Sequence, residues 1–449
     1  MVEIQVVQNR RGDTVLGSES IFYSSPDIDS SRISLGGKHY SYQFAAEKFI
    51  DALSSTDVPC VFLRMPEFYN RRAALPSADN VPPGARPWHL IFRSTEEIRL
   101  LKVGYNTACF AWEFDILKDE TKRDEHPFAN QVHMLGLCDE IWVPCNFSRN
   151  VLLRHGIATV KVVPAPIRVK KPAFASRREA LHQLIAIPVT PMNHNPHWLL
   201  EDSMRANKDL LRPLYEWLLV NSPEPEIYIS VLNPEDDRKN MNAMFRGFYY
   251  YHQQNPNSIL LVKLVTSLKR YDMDPAAMMN KLLIHKFTDR NILQSSAILL
   301  IPDYLSSEQM DTLYQAADFY LCTSVAEGQN LPLLEAMSNG VVPISPRHTA
   351  MLDYLDNDNS VEITSRRMVN FMSNIAASRF GKPLWIDFSD ERDVFVALAA
   401  AGRLSGPDKR RLSENAIATV HRQYSTDVIL DRIGERLGEI RAGEKGAVA

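Results

Sequence analysis

Two glutamates, Glu327 and Glu335, stand eight positions apart in the stretch AEGQNLPLLEAMSNGVVPIS, residues 326–345. A carboxylate accepts hydrogen bonds at two oxygens, so Glu335 can hold two hydroxyls at once, as on a ribose. Pro332 fits the first turn of a helix, where its missing N–H costs nothing. Asn339-Gly340 fits the stop. The pattern therefore predicts a short helix over about residues 332–338, with Glu335 in its first turn and Glu327 in the loop before it. Such a helix start offers unpaired amides, from about Gln329 through Asn330 and Leu331 to Leu333, and partial positive charge. A diphosphate suits that environment. Gly328 lets the backbone approach a ligand closely. Glu327, just before the amides, can face whatever the diphosphate carries. The same residues also read as a plain loop acid and an acid that complements the helix dipole.

These residues need a frame. Short apolar runs alternate with amphipathic stretches along most of the chain. SIFYS (20–24), PCVFLR (59–64), HLIFR (89–93), TACFAWE (107–113), EIWVP (140–144) and VKVVPAP (160–166) read as buried strands. After a Pro-rich, polar interval the alternation restarts with IYISVL (227–232), SILLVKLV (258–265), AILLIPDYL (297–305), DFYLCTS (318–324) and VVPIS (341–345). Strands separated by helices predict parallel βαβ units. The expected organisation is an α/β N-terminal domain over 1–185, a connector over 186–225, an α/β C-terminal domain over 226–408 and closing helices over 409–449. Two Rossmann-like halves would leave a cleft at the carboxyl ends of both sheets, where open α/β sheets bind ligands.

The 449 residues exceed what one ordinary core holds and suggest domains of about 150–220 residues. A net charge of −4, from 50 basic and 54 acidic residues, gives no basic field for nucleic acid. The doublets Arg71-Arg72, Lys170-Lys171, Arg177-Arg178 and Arg366-Arg367, and Lys409-Arg410-Arg411, read as solvated surface, with one or two able to touch an anionic membrane. The five cysteines are few, odd in number and set in apolar runs, which predicts reduced core residues and no zinc site. No signal-like N-terminus and no apolar run approaching about 18 residues is present, so the expected location is the cytoplasm, with at most a peripheral membrane contact. Three D-x-D triplets, at Asp27/Asp29, Asp272/Asp274 and Asp356/Asp358, lie in polar or Pro-flanked stretches and read as loops. His126 and His133 lie beyond the strand at 107–113, His133 reading as a packed helix residue, and His348 reads as structural or supporting at the cleft edge.

The segment TSVAEGQNLPLLEAMSNGVVPIS resembles the E-x7-E signature of retaining glycosyltransferases of the GT-B fold, the large group 1 family. Its lead-in YLSSEQMDTLYQAADFYLCTS, the segment CDEIWVPCNFSRNVLLRHGIATVKVVPAPI, the RKN at 238–240 and the closing VHRQYSTDVILDRI are similar to that family in the same order. The resemblance implies two Rossmann-like domains facing each other across a deep cleft, with a C-terminal helix crossing back to the N-terminal, acceptor-binding domain. It implies that Glu335 binds the donor ribose, that Glu327 lies beside the donor sugar, and that Lys239 neutralises the diphosphate. Arg238 stands in for an arginine that the family places about five residues earlier. Gly328, Gln329, Asn330 and Leu331 form the amide cradle where the family often reads E-G-F-G, and Asn330 tolerates left-handed backbone. Gly37 of Gly36-Gly37 is the candidate for the family's phosphate loop and equally an ordinary turn. Glu113, in Trp112-Glu113, matches a W-E that some members carry in the cleft, where it would meet the acceptor; it also reads as a surface acid beside a core tryptophan.

The implied activity is transfer of a sugar, with retention, from a UDP- or GDP-sugar to a glycan or lipid-linked glycan, as in cell-surface polysaccharide synthesis. Glu327, Glu113 and Lys239 would serve the chemistry, with no metal and no cofactor. The alternatives are a phosphorylase, an epimerase or a non-catalytic nucleotide-sugar scaffold on the same fold.

Overall fold

The computed structural model describes residues 6–7, 21–26, 40–67, 87–102, 104–118, 127–169, 176–184, 186–191, 212–214, 216, 218, 225–265, 292, 295–370 and 383–446. The apolar runs of the N-terminal half become β1 (Val6–Val7), β2 (Ile21–Ser24), β3 (Cys60–Phe62), β4 (Trp88–Ile91), β5 (Tyr105–Cys109), β6 (Glu140–Val143) and β7 (Val160–Val162). They form one sheet in the order β1-β3-β2-β4-β5-β6-β7. Every pairing in it is parallel except β1 with β3. Helices α1 (Tyr40–Leu53), α2 (Gln131–Gly136) and α3 (Asn146–Arg154) flank it. Phe49, Trp88 and Trp142 pack at its centre, with the two indoles edge to face at 5.2 Å.

Helix α4 (Arg177–Leu184) opens the second half. The second sheet comprises β8 (Pro188–Pro191), β9 (Arg212–Pro213), β10 (Glu226–Leu232), β11 (Ser258–Leu264), β12 (Ile298–Ile301), β13 (Phe319–Leu321), β14 (Val342–Ser345) and β15 (Val361–Glu362). Its order is β15-β14-β13-β10-β11-β12-β8-β9. The strands from β10 to β15 pair in parallel and carry near-continuous apolar runs, because helices cover both faces. Those helices are α5 (Met241–Gln254), α6 (Ser307–Ala316), α7 (Leu331–Ser338), α8 (Glu391–Ala401) and α9 (Gly406–Tyr424). Gly247 lets α5 approach α8: a Cβ there would lie 2.7 Å from Val394 Cβ. A separate hairpin pairs β16 (Arg366–Val369) with β17 (Trp385–Phe388).

Two details differ from the sequence expectation. The stretch read as a connector over 186–225 contributes β8 and β9 to the second sheet, and Leu181, Leu184, Ile187 and Val189 share a core with Ile229, Leu299 and Leu313. Pro213 fits because β9 is the edge strand, paired antiparallel with β8 alone, and Pro188 and Pro191 stand at the two ends of β8. The strand expected over 107–113 ends at Cys109, leaving Trp112 and Glu113 in the loop beyond it.

The chain closes by crossing back. Ile167 N–H donates to Tyr424 O at 2.7 Å where the two crossings run side by side. Helix α10 (Thr426–Gly446) then buries Ile429, Ile433, Leu437 and Ile440 against Ala46, Phe49 and Ile50 of the first domain. Among the described residues no helix is long and apolar enough to cross a membrane. Ile433 is 2% exposed, so Ile433→Ala should destabilise the first domain by about 2–4 kcal/mol. The exposed neighbour Glu435→Ala should stay within about 0.5 kcal/mol, both read from denaturant unfolding.

Candidate functional site

The carboxyl ends of both sheets face one cavity of about 1960 Å³. Strand β13 delivers the chain to its edge, and the loop from Cys322 to Asn330 leads into α7. Asn330 takes the left-handed conformation, φ 63° and ψ 62°, that turns the loop into the helix. Its side-chain amide donates to Cys322 Sγ at 3.3 Å. The helix stops as its sequence indicates: Gly340 adopts φ 80°, and a Cβ there would meet Ser413 Oγ at 2.9 Å. The backbone N–H groups of Gly328, Gln329, Asn330 and Leu331 have no hydrogen-bond partner among the described residues.

Opposite this loop, β10 ends in a 3₁₀ turn, Asp237–Lys239, capped by Asp236, whose Oδ1 accepts from Arg238 N at 3.1 Å. Val325 N–H donates to Arg238 O at 2.8 Å, and Thr323 Oγ1–H donates to Lys239 O at 2.8 Å. The turn and the loop are thereby fixed to each other. Lys239 Nζ reaches Glu327 Oε1 at 2.5 Å, with the two side chains 18% and 7% exposed. Arg238 forks onto Asp236, at 3.1 and 2.7 Å, and reaches across the cleft to Glu113 Oε1 at 2.6 Å.

Burial and charge set the protonation of this group. Burial pulls the Lys239 ammonium down, and the carboxylates of Glu327 and Asp236 more than offset it, so its pKa stands above the ordinary lysine value. Arg238 behaves alike, with Asp236 and Glu113 as its partners. For Asp236 burial raises the pKa, but Arg238 and Lys239 prevail and hold it low. Glu113 goes the other way: burial raises its pKa further than the shared Arg238 lowers it, and the neighbouring charges of Asp236 and Glu327 add to the rise.

One turn into α7, Glu335 Oε1 meets Lys48 Nζ of α1 at 2.5 Å, while Tyr314 O–H donates to Oε2 at 3.4 Å. Lys48 belongs to the first domain, so this pair also spans the cleft. Gln329 spans it too: its Nε2 donates to Ala165 O at 2.8 Å, and its Oε1 accepts from Ala165 N at 3.0 Å. Asn146 N donates to Asp353 Oδ2 at 2.7 Å, and Arg367 pairs with Asp115 at 2.8 Å. The loop carrying Ala111 and Trp112 packs on Gly328, where a Cβ would sit 3.5 Å from Ala111 Cβ.

The structure thus gathers Glu113, Arg238, Lys239, Glu327, Gly328, Gln329, Asn330, Leu331 and Glu335 along one cavity. Gly37 and His126 lie outside the described residues, as do Asp27, Asp29, Asp272 and Asp274. Asp356 and Asp358 occupy a surface turn, where Asp358 N donates to Asp356 Oδ1 at 2.8 Å. His133, expected to be packed, is exposed on α2, while His348 is buried behind Glu327. The cysteines are all free, and four of them are buried. The doublets read as solvated are in part bound: Arg177 and Lys409 both pair with Asp318, at 2.7 and 2.6 Å.

Sequence reasoning missed Lys48, Asp236 and Lys263. Lys48 sits in an amphipathic helix with nothing to mark it, and Asp236 is one of several acids in PEDDRK. Lys263 ends an apolar strand, is 5% exposed, lines the cavity and donates from Nζ to Leu264 O at 2.5 Å. A lysine inside an otherwise apolar strand is the signal that could have found it.

No family model and no curated protein matches the sequence. Solved structures do. HepE of Anabaena, in complex with UDP and glucose, superposes with a TM-score of 0.55 at 9% identity, over 94% of this chain and 100% of that one. The α,α-trehalose 6-phosphate synthase of Burkholderia multivorans gives a TM-score of 0.54 at 13% identity, over 95% of this chain and 99% of that one. The chain spans 57% of the length of TarM of S. aureus, at a TM-score of 0.49 that contributes nothing further. These likenesses, with the two sheets and their cleft, establish the fold: α/β, two Rossmann-like domains facing each other in the GT-B arrangement.

Burial lowers the pKa of Lys263 to about 8, with Asp303 opposing. Between pH about 8 and the ordinary lysine value of 10.5 the unfolded chain therefore keeps a proton that the folded chain sheds, and stability from this group rises with pH. Lys263→Met lacks the group. The unfolding free energy of the unsubstituted protein should accordingly gain on that variant between pH 8 and 10, measured by urea denaturation.

Proposed function

We propose that this chain is a retaining glycosyltransferase of the E-x7-E, group 1 type. It moves a sugar from a nucleotide-sugar to a glycan or lipid-linked glycan acceptor. The observation that carries this reading is the Lys239–Glu327 pair at the mouth of α7, with Glu335 eight positions on and the whole group inside an interdomain cleft. The complex of HepE with UDP and glucose, on the same fold, favours a UDP-sugar as donor over a GDP-sugar.

In this reading the diphosphate lies against the amides of residues 328–331 and the cations of Lys239 and Arg238. It is the leaving group, and the charge that develops on it is met by donors already in place. Glu335 exchanges Lys48 for the ribose hydroxyls, and Glu327 faces the sugar. Arriving phosphate charge draws the two cations from their carboxylates. Glu113, whose pKa burial raises, then lies on the acceptor side, where its carboxyl can bind the attacking hydroxyl, and the proton that hydroxyl loses passes to the departing diphosphate. The protein's contribution is positioning of two substrates and stabilisation of departing charge. The reading assigns acceptor binding to the first domain and donor binding to the second, in the cytoplasm or on the cytoplasmic face of a membrane, without a metal or cofactor.

Lys239→Ala and Glu335→Ala should each weaken UDP binding by at least about tenfold, or about 1.4 kcal/mol, in titration calorimetry. Unchanged affinity in both would refute the donor site. Sugar transfer from UDP-glucose or another UDP-sugar should persist in EDTA; a loss restored by added divalent cation would overturn the metal-free mechanism.

A further inference from the structure

We infer that Thr349 is a positioning residue that holds Glu327 in the orientation in which it meets Lys239. Among the described residues three that are not glycine have positive φ: Asn240 at 49°, Asn330 at 63° and Thr349 at 47°. Asparagine enters the left-handed region readily, whereas a β-branched threonine there is an outlier. Strain of this kind persists only where the surroundings over-determine it.

The surroundings of Thr349 are the backbone of Glu327. Thr349 Oγ1 accepts from Glu327 N at 3.0 Å, and Ala350 N donates to Glu327 O at 3.3 Å. Both backbone polar groups of Glu327 are thus clamped by two consecutive residues. An extended or right-handed Thr349 would carry Oγ1 away from the Glu327 amide. Oγ1 also lies 3.2 Å from Nδ1 of His348, and both residues are at least nine-tenths buried. Thr349 opens the 3₁₀ turn Thr349–Asp353, and Asp353 at its far end binds Asn146 of the first domain. The turn therefore connects the carboxylate beside Lys239 to the closed arrangement of the domains. Thr349 does not line the cavity, so it acts through Glu327 and not on a ligand.

The inference deepens the proposed function, and its test has two arms. Thr349→Val keeps the shape and loses the hydroxyl, while Thr349→Ser keeps the hydroxyl. In the first arm, Thr349→Val should lower UDP-glucose turnover, measured as UDP release, by about tenfold or more. UDP affinity by calorimetry should stay within about twofold, since Glu327 faces the sugar and not the diphosphate, and Thr349→Ser should restore turnover. Turnover unchanged in Thr349→Val, or UDP affinity falling in step with turnover, overturns the inference. If the unsubstituted protein neither binds UDP nor releases it from UDP-glucose, the donor reading fails, and the second arm decides alone. Crystal structures of the two variants should show the Glu327 carboxylate displaced from Lys239 in Thr349→Val and retained in Thr349→Ser. A retained pair in both overturns the inference.

Discussion

The Lys239–Glu327 ion pair is the constraint on which the cleft depends. A lysine and a glutamate buried this deeply are tolerable only as partners, because removing one leaves the other an uncompensated charge in a low-dielectric setting. To bring them to 2.5 Å, the turn after β10 and the loop after β13 must lie side by side, which the parallel neighbours β10 and β13 ensure. The hydrogen bonds from Val325 and Thr323 then fix that proximity. The N-terminal end of α7 inherits its position from the same loop.

A second layer of charge ties the domains together. Glu113 with Arg238, and Lys48 with Glu335, each join one residue from either side of the cleft. Each pair uses a residue that the sequence marks for a ligand. The groups that would hold a donor therefore hold the domains to each other when none is bound. A ligand supplying phosphate and hydroxyl groups would have to take over these contacts in exchange, so its gain would be a difference between two sets of charged hydrogen bonds. The group of Glu113, Asp236 and Glu327 against Arg238 and Lys239 already carries one more acid than base. Burial raises the pKa of Glu113, and the neighbouring carboxylates of that group add to the rise.

The α/β frame was legible because buried parallel strands must be apolar throughout. SILLVKLV and IYISVL fell where β11 and β10 lie, within a residue of their ends. The start and stop of α7 were legible because Pro332 and Gly340 have few other uses in such places. The proline-rich stretch was opaque, since β8 and the edge strand β9 are short and an edge strand needs neither an apolar run nor a full set of donors. Cross-cleft partners were opaque for another reason. Lys48 and Glu335 are 287 positions apart, and nothing local in YSYQFAAEKFIDAL records what α1 will face. Thr349 lay hidden because its conformation contradicts its type. A threonine in left-handed backbone is what local preference argues against, and the contacts of Glu327 impose it.

The chain passes between its two domains at residue 167 and again at residue 425, and the two passages are hydrogen-bonded to each other through Ile167 and Tyr424. Two parallel straps joined at one point define an axle. Rotation of one domain about that line would leave the bond between them intact, whereas sliding one domain past the other would break it. A swing about that line would carry Lys48 and Glu113 away from their counterparts in one movement.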